Sequence, residues 1–394
     1  MLSTSRARPT RSAPDVQDAV RSAAERRAPL RIHGAGNWLD AGWPVANATP
    51  LSLASEAGIT EYNPGDLTLT ARAGTSLDEI ARVTAAERQW LALDPFGPST
   101  STLGATIATA SYGPLAHAFG TPRDNVLGLE AVTGNGRTVG TGGRVVKNVA
   151  GFDLTRLFTG AWGTLAVITE ATVRLRALPD AEESWAIVVD ETSESLDALF
   201  ARLRFAPLEP LALELVSPSL ASRLGVESGG RAALLVRLGG NEGSVRAQRD
   251  YLRSFTDLLA APRDLWRSLR ECEPARAATA RFSAPPSRMA RTWAAVRAAV
   301  GDSADAFAHA SIGRGVARCI TPSSSNESGE RLITAAAHFD GTVIFERLPA
   351  ELWARTRAEN GTEESGTERL ARAMRSSFDP MRVLNPGILG ERDR

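Results

Sequence analysis

The stretch that decides the fold is VVKNVAGFDLTRLFTGAWGTLAVITEATVRL, residues 145–175. Asp153 stands at the position of an N-cap, ahead of a short apolar helix that ends at Gly160. Apolar and polar residues then alternate over 164–176, which is typical of a half-buried strand. A short helix between glycine turns, followed by a long strand, predicts a domain of mixed α and β structure.

Lys147 lies inside this stretch and is the only lysine among the 45 lysine and arginine residues of the chain. Lysine carries a compact, rotatable charge, whereas arginine presents a wide planar fork, so a tight site can hold the first and reject the second. The residues alone leave two interpretations open. Either the site selects lysine, or one lysine escaped a strong compositional bias towards arginine.

Length and composition describe a soluble globular protein. With 394 residues, the chain is expected to form two or three domains. Its 43% hydrophobic and 23% charged content leaves ample material for cores. A formal net charge of zero gives no electrostatic case for binding nucleic acid or a membrane surface.

Several chemistries have no signature in the sequence. There is no GxGxxG after a strand, no Walker glycine pattern before Lys147, no GxSxG and no HExxH. The four histidines are scattered and the two cysteines form no CxxC pair, so we predict neither a metal site nor a disulfide framework. The uncharged stretch 95–122 lacks the continuous apolar character of a transmembrane segment.

The first 14 residues are basic, rich in serine and proline, and free of acidic side chains. This composition fits a transit peptide or a disordered tail, and we favour the tail, residues 1–14. With few cysteines and no anchor segment, the sequence predicts a cytoplasmic protein, at most peripheral at the inner membrane through a complex.

The rest of the chain divides into three predicted parts. Residues 15–178 carry strands at 67–73 and 126–133 and a helix from Leu77, capped by Ser76. Residues 179–365 alternate strands with helices and predict an α+β layer whose helices cover one face of a sheet. Residues 366–394 are predicted to return to the first domain. The predicted strands of the middle part lie near 184–190, 210–216, 231–238, 305–320 and 341–347, and its helices at 194–204 and 242–259.

Two segments could hold a large polar ligand. HGAGN, residues 33–37, follows a predicted strand, and its glycines let successive backbone N–H groups converge on an anion. Segment 95–122 is uncharged and rich in Gly, Ser and Thr, which favours backbone packed around a ligand over an exposed loop. Taken alone, HGAGN would also suit an ordinary tight turn. The two segments together favour a ligand.

Five motifs in one order resemble a known family: HGAGNWLDAG, STLGATIATASYGP, GTPRDNVLGLEAVTGNG, the 145–175 stretch and FDPMRVLNPGIL. They are similar to the FAD-binding domain of the vanillyl-alcohol-oxidase/PCMH type, and most of all to the E-type FAD-binding component of bacterial glycolate oxidase. The resemblance covers about residues 16–178 and the last fifteen or so residues, while the middle block matches only by position, as a cap domain. It implies an α+β fold with a PCMH-type FAD-binding domain of two α/β subdomains, followed by an α+β cap.

The resemblance also implies positions for the cofactor. Residues 33–37 and the following Ala41 and Gly42 would cradle the FAD diphosphate, mainly through backbone, since His33 replaces a common arginine. Ser111 and Gly113 would lie beside the flavin ring, Ile168 near the adenine, and Asn385 at the flavin edge. Lys147 matches a family motif, which favours a site-specific lysine, either at the cofactor or in a buried salt bridge. The complete cofactor-binding set is His33, Gly34, Ala35, Gly36, Asn37, Ala41, Gly42, Gly97, Thr102, Gly104, Ser111, Gly113, Thr121, Lys147, Ile168 and Asn385.

Two departures from the family pattern matter. Relatives that oxidise 2-hydroxy acids carry paired cap histidines in a HAGDGNLH-like segment, whereas HASIGRGVAR, residues 309–318, keeps only His309. A lone histidine makes a poor metal site, so we expect none. No histidine or cysteine stands where some relatives attach FAD covalently, so FAD is expected to bind non-covalently. The candidate catalytic residues are His309, Arg314 and Arg123.

The resemblance implies a flavoprotein that oxidises a small 2-hydroxy acid such as glycolate, as one subunit of a complex. Its expected partners are a second homologous flavin subunit and an iron–sulfur subunit. The missing cap histidine also fits an alternative, a flavin-binding structural or electron-relay subunit that supports a catalytic partner. An unrelated oxidase of the same fold, acting on a sugar or alcohol, is the third possibility.

Overall fold

The computed structural model describes residues 14–143, 153–301, 303–322, 326–358 and 366–390. Lys147 and the glycine-flanked segment around it therefore lie outside the described residues. Within the described ranges, helices and strands alternate through most of the chain. The helices are α1 Pro14–Arg26, α2 Leu77–Ala85, α3 Leu103–Thr109, α4 Ala116–Phe119, α5 Pro122–Asn125, α6 Leu154–Phe158, α7 Ser193–Arg204, α8 Pro218–Arg223, α9 Glu242–Arg253, α10 Leu265–Arg270, α11 Met289–Val300, α12 Asn326–Ala337, α13 Ala350–Ala358 and α14 Gly366–Phe378.

The strands form two main sheets and two short pairs. β1 and β2 are parallel, and β5 and β9 form a separate antiparallel pair. The strands are β1 Leu30–His33, β2 Thr49–Ser52, β3 Ile59–Asn63, β4 Thr68–Arg72, β5 Gln89–Trp90, β6 Val126–Thr133, β7 Thr138–Gly142, β8 Ala166–Arg174, β9 Arg176–Ala177, β10 Ala181–Val188, β11 Ala212–Val216, β12 Ala233–Gly240, β13 Leu259–Ala260, β14 Ala278–Ser283, β15 Phe307–Ser311, β16 Val316–Thr321 and β17 Thr342–Arg347.

The first sheet belongs to the N-terminal half and has the strand order β3-β4-β8-β6-β7. The predicted strand at 164–176 is confirmed as β8, which lies at the centre of this sheet. Both predicted helix caps are confirmed: Ser76 accepts a hydrogen bond from the Glu79 N–H, and Asp153 from the Arg156 N–H. One apolar core joins α1, α2, α3 and the sheet, and includes Ile80, Ile107 and Val167.

The second sheet has eight strands in the order β13-β10-β12-β11-β15-β16-β14-β17, and all its pairings are antiparallel. Side chains alternate between its faces because successive residues of a strand point in opposite directions. Helices including α7, α9 and α11 cover one face, and Trp293 of α11 is fully buried there. The predicted α+β cap is thus confirmed, but its helices lie on both faces of the sheet, since α8 and α10 pack on the other face. β14 and α11 were not predicted, and α9 ends earlier than expected, at Arg253.

The C-terminal segment returns to the N-terminal half. The Leu30 N–H donates to the Val383 carbonyl at 2.7 Å, and the Asn385 N–H donates to the Leu30 carbonyl at 3.0 Å. Residues 383–385 therefore flank β1, immediately before the HGAGN loop. Along the described ranges, no helix is both long and apolar enough to cross a membrane.

Candidate cofactor cleft and active site

A cleft of about 730 Å³ opens beside the HGAGN loop. The loop, the start of α3, the start of β8 and the C-terminal segment supply its walls. The lining residues are Arg31, Ile32, His33, Gly34, Ala35, Gly36, Asn37, Trp38, Leu53, Ala73, Ser101, Thr102, Gly104, Ala105, Ala108, Thr109, Trp162, Gly163, Ala166, Val167, Ile168, Asn385 and Ile388.

Two glycines shape this cleft. Gly36 has φ +89°, a left-handed conformation that favours glycine. A Cβ on Gly34 would lie 2.1 Å from Thr102 Oγ1, so the loop backbone packs directly against the residue that caps α3. Because side chains are absent at these points, backbone N–H groups are free to approach a ligand. The cradle and the wall of small residues fit the diphosphate and adenosine parts of FAD.

Nine of the predicted cofactor residues line this cleft: His33, Gly34, Ala35, Gly36, Asn37, Thr102, Gly104, Ile168 and Asn385. Asn385 is only 2% exposed, and its amide group is already used by backbone. Its Oδ1 accepts from the Ile32 N–H at 2.8 Å, and its Nδ2 donates to the Trp162 carbonyl at 2.7 Å. Asn385 therefore holds three segments of the wall together.

Four predicted cofactor residues lie outside the lining of the cleft, each for a local reason. The Gly42 N–H donates to the carbonyl of Glu346, and the Ala41 carbonyl accepts from Arg31. The Gly97 N–H donates to the Arg270 carbonyl at 2.8 Å, so it faces the second half of the chain. Thr121 is engaged by Asp124 at the start of α5. The described contacts of these four residues are with neighbouring loops, and their assignment to the cofactor stays a prediction.

Sequence reasoning missed three large side chains of the cleft. Trp38 and Trp162 meet edge to face with ring centroids 5.6 Å apart, and both line it. Arg31 donates to the carbonyls of Trp38 and Ala41, so it holds the loop closed after the HGAGN turn. Trp162 has φ +54°, unusual for a non-glycine residue. No sequence pattern signals that conformation, but its position between two glycines could have drawn attention to it.

A second cavity, of about 400 Å³, begins where the first cleft ends. Thr109, at the end of α3, lines the first, and Ser111, two residues later, lines the second. Ser111 and Gly113 are the residues that the family resemblance placed beside the flavin ring. The cavity is lined by Phe96, Ser111, Tyr112, Gly113, Glu214, Arg281, His309, Ser311, Val316, Arg318 and Glu346.

The far wall of this cavity is the second face of the eight-stranded sheet, part of which is covered by α8 and α10. His309 pairs with Arg318 across β15 and β16, and Arg318 pairs with Arg281 across β16 and β14. Their immediate neighbours, such as Ala308, Cys319 and Phe282, point into the core on the opposite face. The alternation of polar and apolar residues in HAS, ARC and ARF could have revealed this polar face, because strand side chains alternate with period two.

A network of ion pairs extends from the cavity to the cofactor loop. Arg318 is 4% exposed, and its Nη2 lies 2.6 Å from Glu346 Oε2 and 3.0 Å from Glu273 Oε2. Arg347 Nη1 lies 2.7 Å from Glu273 Oε1, its Nε contacts Asp40, and its Nη2 donates to the Asn37 carbonyl. Although burial opposes it, the ion pairs with Glu346 and Glu273 raise the pKa of Arg318. The cap sheet and the HGAGN loop are thus tied together electrostatically.

His309 and Glu214 form a buried pair at the cavity wall. His309 Nδ1 lies 3.2 Å from Glu214 Oε2, and the two residues are 2% and 1% exposed. Burial raises the pKa of Glu214 to about 8, while burial and then Arg318 lower the pKa of His309 to about 3. Between about pH 3 and pH 8 both groups are therefore neutral. His309 Nε2 is buried with no partner among the described residues, which is the arrangement expected where a ligand completes the bonding.

The other two catalytic candidates are placed differently. Arg314 does not line the cavity, but its guanidinium lies 5.2 Å from the centroid of Tyr112 and donates to the Ala116 carbonyl. Arg123 donates to the Thr159 carbonyl and lies away from the cavity, so its candidacy as a catalytic residue is not supported by its position. Within the described part of the chain, no cluster of three His, Cys, Asp or Glu residues could hold a metal ion.

Comparisons with known proteins agree with this geometry. The family model of the FAD binding domain matches residues 8–142. Glycolate oxidase subunit GlcD of Bacillus subtilis is 27% identical over 408 residues, covering 94% of this chain and 85% of that protein. Glycolate oxidase subunit GlcE of Escherichia coli is 34% identical over 254 residues, covering 64% of this chain and 66% of that protein. A solved structure of 4-ethylphenol oxidase from Gulosibacter chungangensis aligns with a TM-score of 0.72 at 17% identity, covering 96% of this chain and 88% of that one.

These findings confirm the predicted PCMH-type fold and FAD as the cofactor. They do not support the E-type component in particular, because GlcD is similar along nearly the whole chain while GlcE aligns over a shorter part. The chain is an FAD-binding oxidoreductase that has glycolate oxidase subunits among its homologues.

Proposed function

We propose that this protein oxidises a small 2-hydroxy acid, of the glycolate type, to the corresponding 2-oxo acid. The observation that carries the proposal is the second cavity, where the unpartnered His309 Nε2 faces the space beside Ser111 and Gly113. The relation to glycolate oxidase subunits supports the substrate class. Because both of these relatives are subunits, it also supports membership of a complex. A second homologous flavin subunit and an iron–sulfur subunit stay the partners that the family resemblance implies.

The chain itself binds the cofactor and handles the proton. Residues 33–37 and Thr102 hold FAD in the first cleft, and bound FAD supplies the acceptor for two electrons and the α-carbon hydrogen. We expect non-covalent binding. No cysteine lines the first cleft, and its single histidine, His33, belongs to the loop assigned to the diphosphate and not to the flavin ring. The substrate hydroxyl proton goes to His309 Nε2. Loss of that proton and of the α-carbon hydride leaves a 2-oxo acid.

The state of Glu214 decides whether His309 can accept this proton. While Glu214 is protonated, its carboxyl donates to Nδ1, and neutral His309 then carries its own hydrogen on Nε2. Once Glu214 loses its proton, its carboxylate accepts from Nδ1–H, and the lone pair of Nε2 faces the cavity. Since burial raises the pKa of Glu214 to about 8, proton abstraction becomes favourable on the alkaline side of neutrality.

Anaerobic reduction of the bound flavin tests this function. We expect glycolate or D-lactate to bleach the flavin of the wild-type protein, and His309→Asn to slow the bleaching at least a hundredfold, as for loss of a general base. His338→Asn is the matched control, because His338 is exposed and bonds only to the Thr334 carbonyl. A His309 variant as fast as wild type would refute the catalytic assignment. If FAD binds and no 2-hydroxy acid reduces it, the supporting-subunit alternative replaces this one.

A further inference from the structure

The second cavity contains two arginines whose bonding differs sharply. The Arg318 guanidinium is held by Glu346 and Glu273 at 2.6–3.2 Å. Arg281, on the neighbouring strand, reaches only Glu346 Oε1, at 3.8 Å, which is too long for a hydrogen bond. No described residue accepts a hydrogen bond from Arg281. Its five N–H donors are thus available while its side chain is 22% exposed.

Arg281 is nevertheless fixed in position. Its guanidinium lies 5.7 Å from the centroid of the Tyr112 ring, and Arg314 lies 5.2 Å from the same ring. Tyr112 lies between Ser111 and Gly113, so this contact links Arg281 to the segment beside the end of the cofactor cleft. A cation over an aromatic face is attracted to it and loses part of its rotamer freedom. A ligand that binds Arg281 has less side-chain ordering to overcome.

The register of the sheet places this guanidinium beside the proton acceptor. Arg281 stands opposite Arg318, and Arg318 opposite His309, so the three residues occupy neighbouring strands. Strands lie about 4.8 Å apart, which separates the backbones of Arg281 and His309 by roughly 10 Å. Long side chains reaching inward from both leave room for a small molecule whose carboxylate and hydroxyl are on adjacent carbons.

We propose that Arg281 is the carboxylate anchor of this site and restricts it to monocarboxylates. The proposal rests on the function proposed above. The planar fork of arginine binds a carboxylate through two parallel hydrogen bonds, which fixes the orientation of the α-carbon. The other arginine of the lining, Arg318, is already paired with Glu346 and Glu273, so a second carboxylate on the ligand would find no unpaired cation among the lining residues. The chain therefore discriminates against dicarboxylic 2-hydroxy acids.

Binding of non-oxidisable acids tests the anchor without requiring turnover. We expect propionate to raise the melting temperature of the FAD-loaded protein and to perturb the flavin spectrum, while malonate does neither at the same concentration. Arg281→Gln abolishes both effects of propionate, and Arg281→Lys restores part of them because a point charge replaces the fork. Arg288→Gln is the control, since Arg288 is exposed and pairs with Asp340. A malonate response equal to that of propionate would refute the restriction to monocarboxylates.

Kinetics then separate this proposal from the proposed function. In Arg281→Gln we expect KM for glycolate or D-lactate to rise about ten- to a hundredfold, since a hydrogen bond to a charged group is lost, with a smaller change in kcat. An unchanged KM overturns the anchor even if the wild type oxidises these acids. A wild type that no 2-hydroxy acid reduces, yet whose response to propionate requires Arg281, refutes the proposed function and leaves the anchor standing.

Discussion

The substitution Gly34→Ala tests the cradle of the cofactor cleft most directly. The added Cβ would lie 2.1 Å from Thr102 Oγ1 and 3.1 Å from Thr102 Cβ, whereas ordinary contacts begin near 3.4 Å. Thr102 must therefore move by more than an ångström, at an overpacking cost of about 1–3 kcal/mol. Its displacement also breaks the N-cap bond to the Ala105 N–H, worth about 1 kcal/mol. We expect a loss of about 2–4 kcal/mol in unfolding free energy without FAD.

Denaturant unfolding of the apo-protein and FAD titration together measure this effect. Gly140→Ala is the control, because a Cβ there meets nothing within 4 Å. FAD affinity should fall at least tenfold in Gly34→Ala and stay unchanged in the control. The double variant Gly34→Ala with Thr102→Ala removes the clashing oxygen, so it should be less destabilised than the sum of the single variants. Strict additivity, or a Gly34 variant as stable as the control, would refute the packing argument.

Four further predictions concern the buried groups and the cleft. The rate of flavin reduction should rise with pH around the Glu214 pKa of about 8, and Glu214→Gln should remove this rise. The variant keeps the other titratable and charged groups that act on the site, namely His309, Arg318 and Asp94. A rise that persists in the variant would therefore assign the titration to another group. Because burial raises that pKa above the usual 4.5, Glu214 should lower stability progressively between pH 4.5 and 8, and unfolding of Glu214→Gln should lack this decline. Acid precipitation should release intact FAD into the supernatant, and flavin retained in the pellet would contradict non-covalent binding. Arg318→Met should lower the unfolding free energy, measured by denaturant unfolding, by about 3–5 kcal/mol, because it leaves buried carboxylates unpaired. Arg267→Met removes an exposed ion pair and should cost at most about 1 kcal/mol in the same experiment.

The sequence predicted those helices and strands whose formation depends on residues close to each other in the chain. Asp153 and Ser76 cap their helices because the capping bond needs only residues three positions away. The alternation over 164–176 became the central strand β8 because one face of it is buried in the core. By contrast, β14 and α11 were missed. The strand ATARFS alternates small and polar residues, and the helix is rich in alanine and buried on several sides, so neither shows strong amphipathic contrast.

The first cleft was more predictable than the second cavity for a related reason. The glycines of HGAGN and Gly104 indicate, within short segments, that the backbone can approach a ligand closely, and the structure places both segments in the wall of one cleft. The second cavity is assembled from five sheet strands and the loop segments 96 and 111–113, which are distant in sequence. His309 was identified as a candidate, but its partner Glu214 is 95 residues away and is not signalled by any motif. Lys147, the feature that most distinguished the sequence, lies outside the described residues, and its role remains a prediction.

The buried charges of the cap sheet are better explained by the ligand than by stability. Replacing a buried ion pair by well-packed apolar residues is often neutral or stabilising, so the arrangement from Glu346 through Arg318 and Glu273 to Arg347 brings little stability by itself. It does fix this second face of the sheet against the loop at Asn37 and Asp40, which borders the cofactor cleft. It also satisfies Arg318 while leaving Arg281 free to bind an anion. A face built only for packing would not combine a fully paired arginine, an available one and an unpartnered histidine around one cavity.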